Sequence, residues 1–184
     1  MRIGDHFRFG LLLSAVLLVA DRLSKYWVLN GLNLADVGTI PLLPFLNFTM
    51  VLNEGISMSL PVGDWLGRWG LIILTGCISL WLLNWLRTSE KRFEATALAM
   101  IIGGAVGNII DRFIYGAVVD FIHLHAWGYS FYVFNVADSA ITVGAVLLLF
   151  DGLRDGRKGP KNASKTHEVD APERPDPSGS TLKE

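Results

Sequence analysis

The sequence predicts a membrane all-α fold with a small β-rich extracytoplasmic piece, four transmembrane helices and both termini in the cytoplasm. Three observations carry this reading. The 184 residues are 51% hydrophobic and only 18% charged, whereas an average soluble domain is about 25% charged. Four apolar runs approach the ~20 residues that a spanning helix needs. Lys and Arg gather on one side of such a chain.

The first run is about Phe9–Leu29, apolar from Leu11 to Ala20 apart from Ser14. It lacks a small-x-small cleavage site and continues through Tyr26-Trp27-Val28-Leu29, so it reads as a retained span and not a cleaved leader. The second is about Trp65–Leu86, with Trp65 and Trp69 near one end and Trp81 and Trp85 near the other, where indole rings favour the bilayer interface. The third is about Ala95–Tyr115, where Gly103 and Gly107 form a GxxxG suited to close helix packing. The fourth is about Phe131–Phe150.

Charge orients these spans. Arg2 and Arg8 precede the first, Arg87, Lys91 and Arg92 join the second to the third, and seven Lys/Arg follow residue 150. That side holds 12 of the 16 basic residues; the connections 30–64 and 116–130 hold none. The positive-inside rule puts the basic side in the cytoplasm. In the outer connection 39–62, Pro41, Pro44 and Pro61 oppose a helix, and Phe48, Thr49, Val51 and Leu52 favour extended structure. A short β-rich piece resting on the membrane surface is expected there. Residues 151–184 are rich in Pro, Gly, Ser and charge and read as a disordered cytoplasmic tail.

Several function classes drop out. A net charge of −1 offers no broad basic face for nucleic acid. One cysteine, Cys77, permits neither an internal disulfide nor a cysteine metal cluster and reads as a small buried hydrophobe. No GxGxxG or GxxxxGK[ST] motif occurs. His123-x-His125 lacks a matched third ligand, so no metal is assigned. No cofactor is expected.

Ionisable groups inside a span cost at least about 2.5 kcal/mol each and point to function by default. Asp21 and Lys25 stand i,i+4 on one helical face and can pair. Asn108, Asp111 and Arg112 end the third run on adjacent faces, and Arg112 can pair with Asp111 or with a carboxylate on another helix. Asp120, in Val118-Val119-Asp120-Phe121, and Asp138, in Asn135-Val136-Ala137-Asp138, have no local cation. A short connection joins their segments, so their carboxylates can approach. Two adjacent carboxylates split their pKa values, leaving one ionised to take a proton from water and one protonated to polarise a carbonyl. That chemistry cleaves an amide with no nucleophilic side chain and no metal.

Taken in order, Asp21-Arg22-Leu23-Ser24-Lys25, Asn53-Glu54-Gly55, Gly103 to Arg112, Val118 to Phe121 and Phe134 to Asp138 resemble the motifs of the bacterial lipoprotein signal peptidases (signal peptidase II), over about residues 9–150. The resemblance implies an aspartic endopeptidase of the cytoplasmic (inner) membrane, with residues 1–150 as its four-span domain and its active site near the outer face. It would cleave prolipoproteins before the diacylglyceryl-modified cysteine of the lipobox. The catalytic pair falls on Asp120 and Asp138, and substrate-binding or site-shaping roles fall on Asp21, Lys25, Asn53, Gly55, Asn108, Arg112 and Asn135. Diacylglyceryl-modified prolipoproteins and membrane lipid are the implied partners, with cyclic peptides of the globomycin type as inhibitors. One departure is visible: Ile56-Ser57-Met58-Ser59 stands where the family usually has small residues and then Phe.

Three other readings of the residues stay open at this point. Intramembrane acids also suit a small proton- or cation-coupled transporter, although no internal repeat is present. Lys25 with Ser57 or Ser139 could form a serine–lysine peptidase. A non-catalytic scaffold would explain Gly103 and Gly107 but not two unpaired acids.

Overall fold

The computed structural model describes residues 6–55 and 64–156. The expectations for Met58 and Ser57, and for the tail beyond residue 156, lie outside them. Helix α1 spans Phe7–Tyr26 and runs into one π-helical turn, Trp27–Gly31. The short α2 (Leu34–Val37), strand β1 (Thr39–Leu43) and strand β2 (Leu46–Asn53) follow. Then come α3 (Asp64–Thr88), α4 (Arg92–Tyr115), β3 (Val118–Ala126), β4 (Tyr129–Phe134) and α5 (Val136–Gly156).

The protein is mostly helical. Its four strands make one antiparallel sheet in the order β1-β2-β3-β4. Three helical segments are long and apolar enough to cross a membrane: Gly67–Thr88, Arg92–Tyr115 and Val136–Arg154. Helix α1 has the length, 20 residues, but Arg8, Asp21, Arg22 and Lys25 make it less apolar.

Helix α4 is the centre, and α1, α3 and α5 all pack on it. It can be central because its buried side is built of small residues, among them Ala95, Ala99, Gly103, Gly104 and Gly107. A Cβ on Gly103 would stand 2.7 Å from the Ser14 carbonyl oxygen of α1, and one on Gly107 2.7 Å from Asp21 Oδ2. A Cβ on Gly104 would collide with the Ala137 carbonyl oxygen of α5. The two glycines expected to serve helix packing, Gly103 and Gly107, thus meet α1, and Gly104 between them meets α5. Ser14 Oγ also donates to Ala99 O at 2.9 Å. We expect Gly104→Leu to push α5 away and destabilise the fold by about 1–3 kcal/mol, as overpacking does. Thermal unfolding in detergent measures this.

The opposite sides of the outer helices are apolar and uncovered: Leu12 and Val16 of α1, Ile73 and Leu80 of α3, Val146 and Leu149 of α5 are exposed. Apolar surface of this extent suits contact with lipid tails. Cys77 lies on this surface, exposed and not buried as expected, because α3 presents much of its circumference outward.

The fourth helix corrects an expected boundary. It begins at Val136, not Phe131, and residues 129–134 form β4. Phe131 to Phe134 are aromatic and β-branched, so the same apolar run suits a strand paired with β3. Asn135 then fixes the helix start, its Oδ1 accepting the Asp138 N–H at 2.8 Å. At the other end α5 continues to Gly156, so residues 151–156 are helical where a disordered tail was expected. Asp151 pairs there with Lys91 at 3.7 Å. The β-rich expectation for 39–62 holds for β1 and β2; the 116–134 connection adds the other half of the sheet.

Candidate functional site

The sheet delivers two side chains to the ends of the helices. Strand β3 leaves α4 almost at once, and its first four residues, Val118 to Phe121, are all buried. Asp120 is 0% exposed. The β2–β3 register sets Val51 opposite Asp120 and Asn53 opposite Val118. Asn53 Nδ2 donates to Asp120 Oδ2 at 2.9 Å, and Asn53 Oδ1 accepts the Gly55 N–H at 2.9 Å. Gly55 has φ +88°, and a Cβ there would stand 2.5 Å from Leu71 Cδ1, so the turn after Asn53 requires glycine.

Asn135 links the two candidate acids. Its Nδ2 donates to Asp120 Oδ1 at 2.6 Å while its Oδ1 caps the helix at Asp138 N. Asp138 itself, in the first turn of α5, is half-buried and accepts Asn108 Nδ2 at 2.8 Å. Burial pushes the Asp120 carboxyl up to about 6, and the neighbouring Asp138 charge adds to the rise. The amide donors of Asn53 and Asn135 oppose it by favouring the ionised form.

Beneath this pair lies a buried ion cluster. Lys25 Nζ stands 2.8 Å from Asp21 Oδ2 and 2.7 Å from Asp111 Oδ2, with all three side chains 0% exposed. Arg22 also pairs with Asp111. Two cations thereby balance two carboxylates, as a low-dielectric interior demands. The remaining valences reach neighbouring elements. Asp21 Oδ1 accepts the Ala137 N–H at 3.0 Å, and Asp111 Oδ2 accepts the Val119 N–H at 3.2 Å. Lys25 Nζ also reaches Asn108 Oδ1 at 3.4 Å. One cluster therefore fixes α1 and α4 against the residues that flank Asp120 and Asp138.

A cavity of about 520 Å³ opens beside Asp138 and Asn53, the latter bonded to the buried Asp120, within the usual range for a ligand pocket. Asn53, Arg112, Tyr132 and Asp138 supply its polar lining, and Leu71 and Ile141 its apolar lining. Arg112 lies in the field of Asp138, Asp120 and Asp111. Its Nη1 reaches Asn108 O at 3.4 Å, and its Nε is buried without a partner among the described residues.

All nine sequence-predicted site residues fall in this one neighbourhood. Asn135 joins the Asp120 carboxylate to the Asp138 backbone; Asp21 and Lys25 form the adjoining ion cluster; Asn53, Gly55, Asn108 and Arg112 border the acids or the cavity. The pairing of Arg112 with Asp111 is not the arrangement found, since Asp111 is taken by Arg22 and Lys25. Sequence reasoning missed Arg22 as a cluster member and Tyr132 as a cavity residue. Arg22 was legible as a second cation beside Asp21, whereas Tyr132 sits in an aromatic run with no polar signal.

Comparison with known proteins gives concordant matches. The family model described as signal peptidase (SPase) II matches residues 13–154. A lipoprotein signal peptidase of Methylorubrum extorquens (strain PA1) is 44% identical over 155 residues, 84% of this chain and 91% of that protein. One from Acinetobacter baumannii (strain ATCC 17978 / DSM 105126 / CIP 53.77 / LMG 1025 / NCDC KC755 / 5377) is 41% identical over 82% of this chain and 86% of its own length. A solved structure described as a bacterial membrane enzyme, determined by the in meso method at 2.3 Å resolution, superposes with a TM-score of 0.72. It is 28% identical and covers 90% of this chain and 99% of its own.

Proposed function

The chain belongs to the signal peptidase II family, and from that membership we propose that it cleaves prolipoproteins before a diacylglyceryl-modified lipobox cysteine, using Asp120 and Asp138 to activate water. That it is an aspartic peptidase of lipoprotein signal-peptide processing, and a membrane protein, follows from the family and from its apolar helices. The observation that carries the finer reading is the Asn135 bridge, whose Nδ2 holds the buried Asp120 carboxyl while its Oδ1 caps the backbone of Asp138, the acid that lines the cavity.

In this reading Asp120, fully buried, keeps its proton and donates it to the scissile carbonyl oxygen. Asp138, open to the cavity, is the ionised base. It takes a proton from water as the water oxygen bonds to the carbonyl carbon. The tetrahedral gem-diol then collapses: Asp120 takes back a proton from one of its hydroxyls as the C=O re-forms, the C–N bond breaks, and the leaving amine takes the proton held on Asp138, which restores the one-proton pair. Asn53, Asn108 and Asn135 orient the acids; Arg112 and Gly55 border the bound peptide; Asp21 and Lys25 hold the frame. We place four spans in the membrane, α1 included, with both termini cytoplasmic because the basic residues flank those ends. The site then lies near the outer face of the bacterial inner membrane, where a lipidated substrate arrives laterally. Cyclic peptides of the globomycin type would compete for the same cavity.

The pH dependence has a defined sign. The reactive form carries one proton on the pair. Asp120 releases that proton at about 6 in the free enzyme, so kcat/KM should fall as pH rises through about 6. A bound lipid chain excludes water and raises the carboxyl further, so the corresponding limb of kcat should lie at higher pH. The two are macroscopic values of a coupled pair. The substrate assignment is tested by supplying the reconstituted chain with one lipobox peptide in two forms. Cleavage of the diacylglyceryl form alone is expected; equal cleavage of the unmodified cysteine form would refute the assignment.

A further inference from the structure

The Tyr132 hydroxyl belongs to the cavity yet has no part in the acid–base chemistry. Tyr132 is on β4, 69% exposed, and borders the cavity together with Arg112 and Asp138. Asn53 Nδ2 donates to the Tyr132 Oη at 2.9 Å and to Asp120 Oδ2 at 2.9 Å.

An amide nitrogen has two hydrogens, and both are used here. The Asn53 oxygen is also used, by Gly55 N–H. The orientation of this amide is therefore fixed, because a flipped group would set its oxygen against the Asp120 carboxyl and its nitrogen against another donor. The Tyr132 oxygen, having accepted, keeps its own proton to give. Among the described residues no protein acceptor takes that proton. A phenol with a fixed oxygen, an unspent proton and an open ring edge is arranged to meet an acceptor that arrives from outside.

We infer that the Tyr132 hydroxyl is a substrate-positioning donor, which takes a backbone carbonyl of the bound peptide adjacent to the scissile bond. The acceptor must be a carbonyl of this kind, because the scissile carbonyl itself belongs to the acids in the proposed mechanism. A peptide offers its next carbonyl oxygens a few ångströms away along an extended backbone. The same contact would distinguish an extended peptide from a helical one, whose carbonyls are occupied by their own N–H groups. The inference rests on the proposed placement of the scissile bond over Asp120 and Asp138.

The test uses Tyr132→Phe in the full chain, reconstituted in lipid, with a synthetic diacylglyceryl-modified lipobox peptide. Phenylalanine keeps the ring and removes only the hydroxyl. Loss of one neutral hydrogen bond to substrate should raise KM about threefold to tenfold. The value of kcat and its pH profile should stay as in wild type, since Asn53 keeps its bonds to Asp120 and Gly55. If KM is unchanged while kcat falls and its pH profile shifts, Tyr132 acts only by holding Asn53, and the inference fails. It also fails if no parameter changes. Asp120→Asn is assayed in parallel: if that variant keeps near-normal cleavage, the acid pair is misassigned, whatever Tyr132→Phe shows. A KM effect seen beside an inactive Asp120→Asn supports both readings.

Discussion

Asp120→Asn and Asp138→Asn should each lose at least about a hundredfold in the cleavage rate while the protein stays folded. Asparagine matches aspartate in shape. At position 120 it can still accept one amide hydrogen, but it meets the Asn53 and Asn135 donors with only one oxygen where the carboxyl offered two. At position 138 its oxygen can still accept from Asn108. Neither variant can hold or move the proton that the mechanism requires. Their effects should also fail to add: once one acid is lost, losing the second costs little, because the two act on one reaction coordinate. The check is single-turnover cleavage with a synthetic lipidated peptide, beside thermal unfolding curves that show both variants folded. A variant that retained near-normal rate would remove that aspartate from the mechanism and return Lys25, buried one layer below, to consideration as a base.

Lys25→Met should have the largest effect on stability, a loss of about 3–5 kcal/mol, as expected when one partner of a buried ion cluster is removed. The substitution leaves Asp21 without its cation and leaves Asp111 with Arg22 alone. Methionine fills much of the volume, so the loss would be electrostatic and not a cavity effect. The companion variant Lys25→Met with Asp21→Asn should recover a substantial part of the loss. It removes the stranded carboxylate and keeps the Arg22–Asp111 pair. Thermal unfolding in one detergent compares the three proteins. Equal stability of wild type and Lys25→Met would mean that the cluster carries little of the fold.

Much of this arrangement is legible in the sequence because membrane insertion makes polar residues costly. Asp21, Lys25, Asn108 and Arg112 stand out against apolar surroundings, and their positions in otherwise hydrophobic runs single them out before any contact is known. Asp120 and Asp138 stand out because each lacks a local cation. The partners are another matter. Local spacing gives the Asp21–Lys25 pair, since i,i+4 neighbours share a helix face. It cannot give the Lys25–Asp111 contact, which joins two helices and depends on how Gly103 and Gly107 let α1 approach α4. For the same reason spacing alone leaves Arg112 open between Asp111 and a carboxylate on another helix, and the fold puts it foremost in the field of Asp138.

The strands after α4 were hidden by composition. Residues 116–130 read as an outer connection with no element assigned, and Phe131 to Phe134 are apolar enough to pass for the start of the fourth span; the pairing of β3 with β2 and β4 makes both stretches strand. Once β4 is recognised, Asn135 becomes a helix cap whose amide also reaches Asp120, and Tyr132 comes to the cavity mouth. Neither role has a signature in a run that reads Phe-Tyr-Val-Phe-Asn. The small-residue side of α4 was legible as a packing motif, but its division between α1 and α5 follows from tertiary structure alone.

The most direct measurement is mass spectrometry of the products formed when the purified, folded chain meets a synthetic diacylglyceryl-modified lipobox peptide. The account predicts two fragments: a signal peptide ending in a free carboxylate, and a mature fragment beginning with the lipidated cysteine. A folded chain that leaves the peptide intact, or cuts it at another bond, would contradict it.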